Sequence, residues 1–140
     1  MPHWVKEGLL ATAQRPGYRP GAEASVPRAA VDAWIAEQRA AGIASILCLL
    51  GGDQLPLYTR ALPQGLLRYY HECGFAVANV AAPDGMAEPY APEELEQAWQ
   101  AFQALPKPVL VHCSAGHDRT GRVVRHILSR LQEHAKLGAA

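Results

Sequence analysis

The chain of 140 residues contains, from position 112 to 121, the stretch His112-Cys113-Ser114-Ala115-Gly116-His117-Asp118-Arg119-Thr120-Gly121. The apolar residues 108–111 before it predict a buried strand, and the amphipathic residues after it predict a helix from Arg119 to about Ala135. A cysteine, five residues, an arginine and a hydroxyl residue therefore occupy a strand-to-helix turn. This layout is suited to holding a tetrahedral oxyanion against a sulfur nucleophile.

The residue types of this turn favour anion binding for separate physical reasons. A helix N-terminus presents unpaired N–H groups and a partial positive charge, and a loop curled over it adds further N–H groups. Gly116 permits a tight turn, and the planar guanidinium of Arg119 can grip two phosphate oxygens at once. Positive surroundings favour the thiolate form of Cys113, which is the nucleophilic form. The Thr120 hydroxyl can donate a hydrogen bond to that sulfur.

Helical and strand patterns alternate along the rest of the chain. The sequence predicts an early strand pair between Trp4 and Thr12 and a surface turn at 15–21. It predicts further strands at 43–50, 75–80 and 109–112. It also predicts helices at about 28–41, 63–73 and 92–105, and the first two of these are capped by Gly42 and Gly74. Strands separated by helices predict an α/β fold with a central, mostly parallel sheet flanked by helices. Ligands bind beyond the carboxyl ends of such strands, so the loops after Leu50, Val80 and His112 should meet.

Composition and charge exclude several functional classes. Lysine plus arginine equals aspartate plus glutamate, at 13 each, so bulk charge favours neither nucleic acid nor an anionic membrane as partner. The longest apolar run, residues 43–50, is far too short to span a bilayer, and no secretory signal is recognisable. Three cysteines without paired spacing favour a cytoplasmic location, and the histidines lack metal-ligand spacing, so we expect no metal. The length suits one domain spanning residues 1–140.

The Cys-x5-Arg-Thr pattern, with His112 before it and Gly121 after it, resembles the signature of the protein tyrosine phosphatase superfamily. A compact chain with the signature near its C-terminus is similar to the dual-specificity-like branch, which implies the fold of that branch. The resemblance implies that Cys113 and Arg119 are catalytic, that His112 gives structural support, and that no cofactor is needed. It implies a phosphorylated protein or a small phosphate ester as partner. The implied substrate-binding residues are Ser114, Ala115, Gly116, His117, Asp118, Arg119 and Thr120.

A thiolate that attacks a phosphate monoester expels an oxyanion, and a nearby carboxylic acid can protonate it. Asp84 is the first candidate, because it follows a strand and Pro83, and because the superfamily carries its general acid on a loop upstream of the cysteine. Asp53, after another strand, is the rival, and Glu88 on the same loop as Asp84 is the third choice. We expect Asp118, which lies inside the anion loop, to help fix that loop or to pair with a nearby arginine.

Several alternatives stay open at this point. The loop resembles lipid-directed variants that read Gly-Lys-Asp-Arg-Thr-Gly, so phosphoinositides or other small phosphate esters compete with phosphotyrosine, phosphoserine and phosphothreonine as substrates. A rhodanese-like sulfurtransferase is disfavoured, because its active loop is typically shorter. A non-catalytic module that binds phosphorylated ligands is the alternative from another functional class. Cys48, near a strand end, is either a redox partner of Cys113 or a core residue, and the core assignment is favoured.

Overall fold

The computed structural model describes residues 2–21, 24–52, 54–81, 90–114 and 118–138, with the side chains of 118, 137 and 138 excepted. The described strands are β1 (His3–Lys6), β2 (Leu10–Ala13), β3 (Ser45–Cys48), β4 (Ala76–Asn79) and β5 (Val109–His112). The described helices are α1 (Arg28–Ala40), α2 (Leu66–Glu72), α3 (Pro92–Ala104) and α4 (Asp118–Gly138), together with a short 3-10 helix at Leu55–Tyr58.

The five described strands form one sheet in the order β1-β2-β5-β3-β4. The pair β1–β2 is antiparallel, and the pairs β2–β5, β5–β3 and β3–β4 are parallel. The predicted α/β fold with a mostly parallel sheet is therefore confirmed, as is the early strand pair. The strand β5 lies at the centre of the sheet, so its carboxyl end, where Cys113 begins, is enclosed by the ends of β2 and β3.

The sheet separates two hydrophobic clusters, because successive side chains of a strand point to opposite faces. On β5, Val109 and Val111 join the cluster that includes residues of α3 and α4, whereas Leu110 joins the cluster that includes residues of α1 and α2. On β3, Leu47 and Ile46 divide between the same two clusters. Both faces of the central strands are covered, which explains why they are continuous apolar runs in the sequence.

The helices α1 and α2 end just before the two glycines that the sequence predicted as their caps. Gly42 and Gly74 follow α1 and α2 with φ of 84° and 98°, values that residues with a Cβ adopt rarely. After α1, the N–H of Gly42 donates to Arg39 and that of Ile43 donates to Gln38, at 3.0 and 3.1 Å. This pair of bonds is a Schellman motif, and it turns the chain sharply from the helix into the next strand.

Two helices differ in length from the prediction. The helix α2 begins three residues later than predicted, after Gly65 with φ of 91°, so the residues from Pro63 lead up to it without being part of it. The helix α4 extends to Gly138, beyond the predicted end near Ala135. Within the described residues, no helix has both the length and the apolar character needed to cross a membrane.

Candidate active site

Cys113 lies at the carboxyl end of the central strand and is 3% exposed. The strand register pairs His112 with Ala13 of β2 and with Cys48 of β3, and the N–H of Leu49 donates to the carbonyl of His112 at 2.9 Å. The backbone that leads into Cys113 is therefore held on both sides. The segment that begins at Cys113 therefore has a defined starting point.

The side chain of His112 supports the cysteine from the core. Its Nδ1 lies 3.0 Å from the carbonyl oxygen of Cys113, and its Nε2 lies 2.9 Å from the hydroxyl of Tyr70. A carbonyl only accepts hydrogen bonds, so Nδ1 carries the proton, and Nε2 accepts from the tyrosine. Burial lowers the pKa of His112 to about 4, with Arg119 and Arg15 adding to the effect, so the ring is neutral at physiological pH. The position agrees with the structural role that the resemblance implied.

Two aromatic rings enclose this histidine. The ring of Trp34 lies 5.5 Å from that of Tyr70 and 5.4 Å from that of His112, measured between centroids, and its indole N–H donates to the carbonyl of Gln14 at 2.9 Å. Burial raises the pKa of Tyr70 well above its usual value, so its hydroxyl remains a donor. The support of Cys113 thus extends through buried side chains of α1 and α2.

Arg119 occupies the first turn of α4 and is only 1% exposed. Its Nη1 donates to the carbonyl of Leu49 at 3.2 Å, and its Nη2 donates to the Oε1 of Gln54 at 2.7 Å. Gln54 is itself fully buried, on the segment after β3. These two contacts fix the plane of a guanidinium that stands six residues after the cysteine, at a helix N-terminus. Such an arrangement can bind a tetrahedral oxyanion bidentately.

Thr120 is buried beside Arg119, and its hydroxyl has no hydrogen-bond partner among the described residues. A buried hydroxyl without a partner is unfavourable and uncommon in native structures. The sequence assigned this hydroxyl to the sulfur of Cys113, but the structure shows no hydrogen bond between the two side chains, so that contact stays a prediction for the thiolate form.

The turn at 15–21 differs from the sequence prediction. Arg15 is 3% exposed and Pro16 is also buried, so the start of this turn belongs to the interior and not to the surface. The Nε of Arg15 donates to the Oγ of Ser114 at 3.1 Å, and its Nη1 donates to the hydroxyl of Tyr58 at 3.1 Å. The expectation of a surface loop is confirmed for Gly17 and for residues 19–21, which are exposed, and is wrong for Arg15 and Pro16, because the chain leaves β2 beside β5 and there contacts Ser114.

Residues 77–136 match the model of a family described as the tyrosine phosphatase family. The matched segment runs from β4 into α4 and contains the end of β5, Cys113 and Arg119. The resemblance to the protein tyrosine phosphatase superfamily is confirmed. No curated protein matches the chain.

The fold agrees with a solved phosphatase structure. A crystal structure of a mutant form of Tk-PTP superposes with a TM-score of 0.63, at 19% sequence identity, over 94% of this chain and 73% of that chain. At this identity the likeness concerns the fold. The match to the tyrosine phosphatase family supports a phosphatase activity.

The described residues at the ends of β3 and β4 contact one another at the carboxyl edge of the sheet. The amide of Asn79, at the end of β4, donates to the carbonyls of Cys48 and Leu50 at 2.8 and 3.0 Å, which ties two loops together. The hydroxyl of Tyr90 donates to the carbonyl of Val80 at 2.7 Å, so both flanks of residues 82–89 meet at this edge of the sheet. The candidates Asp84, Glu88, Asp53, Ala115, Gly116 and His117 and the side chain of Asp118 lie outside the described residues.

Three residues of the site were missed by sequence reasoning: Arg15, Gln54 and Tyr70. Gln54 adjoins Asp53, which was named as a candidate acid, and its place just after a strand end was the available signal. Arg15 and Tyr70 carry no local signal, since one lies in turn-like sequence and the other follows the helical pattern of a core residue. Their roles depend on contacts 99 and 42 residues away in sequence.

Cys48 lies within the core, fully buried among the side chains that include Ile46 and Leu50. Burial raises its pKa to about 12, which keeps the sulfur protonated. The sulfur of Cys48 is not in a disulfide, and neither are those of Cys73 and Cys113. The placement fits the core assignment that the sequence favoured. A metal site formed by three or more His, Cys, Asp or Glu side chains is not found among the described residues.

Proposed function

We propose that this chain is a cysteine-dependent phosphatase that hydrolyses phosphate monoesters through a phosphocysteine intermediate, in one domain spanning residues 1–140. The observation that carries the proposal is the buried guanidinium of Arg119, oriented by Leu49 and Gln54 at a helix N-terminus, six residues after the buried Cys113. A cation held in this geometry, next to a sulfur nucleophile, is what phosphoryl transfer to sulfur requires.

In the first step, the Cys113 thiolate attacks phosphorus in line with the ester oxygen. The sulfur–phosphorus bond forms as the phosphorus–oxygen bond to the leaving group breaks. Asp84, in its protonated form, transfers its proton to the departing oxygen, so the alcohol or phenol leaves neutral. Arg119 and the N–H groups of the loop bind the nonbridging phosphoryl oxygens, and they bind them most strongly in the transition state.

In the second step, Asp84, now a carboxylate, removes a proton from water. The oxygen of that water attacks phosphorus and displaces the sulfur of Cys113. The products are inorganic phosphate, a thiolate and a protonated Asp84, so the enzyme returns to its starting state without a cofactor. The Thr120 hydroxyl donates a hydrogen bond to the sulfur as it leaves, which uses a donor that has no partner among the described residues.

The substrate proposal has two parts. The similarity to the dual-specificity-like branch favours phosphotyrosine, with phosphoserine and phosphothreonine as further substrates. The loop sequence from Gly116 to Gly121 supports phosphoinositides or small phosphate esters as the competing class. A panel of phosphopeptides and soluble phosphoinositides, compared by kcat/KM, separates these classes. The cysteine content further supports a reducing, cytoplasmic setting, in which the nucleophile stays a free thiol.

The experiment that tests the function measures phosphate release from p-nitrophenyl phosphate between about pH 4.5 and 8, a range that brackets nucleophile and acid ionisation. We expect turnover by the parent and none by Cys113→Ser, which should still bind phosphate. The basic limb of the pH profile should vanish in Asp84→Asn and persist in Asp53→Asn. The reverse result would transfer the acid role to Asp53. An inactive parent with a reactive Cys113 would instead favour the non-catalytic binding module.

A further inference from the structure

Arg15 contacts the cysteine loop with both its backbone and its side chain. Its N–H donates to the carbonyl oxygen of Ser114 at 2.9 Å, and its Nε donates to the Oγ of the same residue at 3.1 Å. Ser114 directly follows Cys113 and is also buried. The first residue of the loop is therefore held by Arg15 through its backbone and through its side chain.

The charge of Arg15 has no counter-charge within the described part of the chain. Its other hydrogen bond goes to the hydroxyl of Tyr58 at 3.1 Å, and its Cζ lies 5.6 Å from the ring centroid of Tyr18. Burial raises the pKa of Tyr58 to about 12, and that hydroxyl donates to the carbonyl of Pro16 at 2.6 Å, so it is a neutral phenol. Burying a cation without an anion is costly in free energy.

The position of this cation suggests which anion balances it. Burial is the main cause that lowers the pKa of His112, and the guanidinium groups of Arg119 and Arg15 both add to it. Two buried cations therefore act on the residue that precedes Cys113. They belong to different elements, since Arg119 lies in the first turn of α4 and Arg15 follows β2. An anion that binds at the carboxyl end of β5 would be attracted by the positive charges of both guanidinium groups.

We propose that Arg15 is a positioning residue and a second cation of the anion site, which holds Ser114 through two hydrogen bonds and is balanced by the phosphoryl dianion when it binds. This inference deepens the proposed function and depends on it for the nature of the ligand. Both the hydroxyl and the carbonyl oxygen of Ser114 accept a hydrogen bond from Arg15. The partial negative charge of that carbonyl oxygen is therefore stabilised by a donor and does not repel the bound oxyanion.

The test measures binding of inorganic phosphate by isothermal titration calorimetry to the full chain, without any turnover. Arg15→Gln removes the charge and keeps a hydrogen-bond donor, whereas Arg15→Lys keeps the charge. We expect the dissociation constant to rise at least about tenfold in Arg15→Gln, which is the Coulomb effect of one unit charge about 12 Å from another at an effective dielectric constant of about 20. We expect it to stay within about threefold of the parent in Arg15→Lys. The matched control is Arg19→Gln, an exposed arginine on the same turn, which should bind phosphate as the parent does.

Equal phosphate affinity in Arg15→Gln and the parent would overturn the inference, and so would a loss in Arg15→Lys as large as that in Arg15→Gln. If Arg15→Gln does not fold, Ser114→Ala decides instead: we expect weaker phosphate binding by a few fold, and an unchanged affinity would refute action through Ser114. A parent that binds phosphate without hydrolysing p-nitrophenyl phosphate would refute the proposed function alone. A parent that binds no phosphate would refute the inference itself.

Discussion

Acidification should destabilise this protein through one buried histidine. His112 is fully buried, and its pKa is lowered to about 4 by burial, with the nearby guanidinium groups adding to the shift. In the unfolded chain, a histidine has a pKa of about 6.5. Between these values the unfolded state binds a proton that the folded state does not. The contribution to stability is therefore present at neutral pH and is lost as the pH falls from about 6.5 toward 4.

The size of the effect follows from the two pKa values. Each unit of difference corresponds to about 1.4 kcal/mol. At pH 5 the unfolded histidine is almost fully protonated and the folded one is not, so the linkage reduces the free energy of unfolding by about 2 kcal/mol relative to neutral pH. Near pH 4 the reduction reaches about 3 kcal/mol. Losses of this size are a substantial fraction of the stability of a small domain.

The assay is urea unfolding followed by fluorescence at a series of pH values from about 7.5 to 4.5, a range that spans the histidine titration. The variant His112→Asn removes the titrating ring, and its free energy of unfolding should fall less steeply than that of the parent over this range. The control His71→Asn, on the exposed side of α2, should follow the parent. Parallel curves for the parent and His112→Asn would refute the reasoning, as would a ring proton of His112 that titrates near the unfolded value in NMR spectra.

Two further substitutions test the contacts around the site, and a third tests a buried polar side chain of α1. Tyr70→Phe leaves a buried ring nitrogen without its donor and should cost about 1–3 kcal/mol in urea unfolding, whereas Tyr69→Phe, with its hydroxyl at the surface, should cost less than about 1 kcal/mol. Gln54→Ala frees the guanidinium that its amide orients, and kcat/KM for p-nitrophenyl phosphate should fall at least about tenfold; an unchanged value would contradict the orienting role. Gln38→Met removes two buried polar atoms that have no partner among the described residues and should raise the unfolding free energy by about 1 kcal/mol, unlike the exposed Gln103→Met.

Local patterns in the sequence predicted most of the architecture. The strand at 109–112 is found with the predicted bounds, and the helix at 28–41 and the glycine caps after α1 and α2 were also expected. These features depend on interactions within a few residues. Apolar residues repeat with the period of a strand or a helix, and glycine adopts a positive φ without strain. The helix α2 starts later than predicted, because the chain turns at Gly65 before the helical hydrogen bonds begin. Such a boundary depends on the surrounding contacts more than on helical periodicity.

The sequence alone determined the chemistry of the loop: a sulfur, a guanidinium and a hydroxyl at a spacing and on a strand-to-helix junction that suit a bound oxyanion. Only the tertiary structure decided which groups hold that loop. Arg15, Gln54 and Tyr70 reach their partners across 99, 65 and 42 residues of sequence. The local sequence around each residue does not indicate its role, because its partner lies in a distant segment that the order of strands in the sheet brings close. The parallel pairing of β2, β5 and β3 brings those segments to one edge of the sheet. Burial then strengthens their hydrogen bonds and charge interactions, because the dielectric constant of the interior is low.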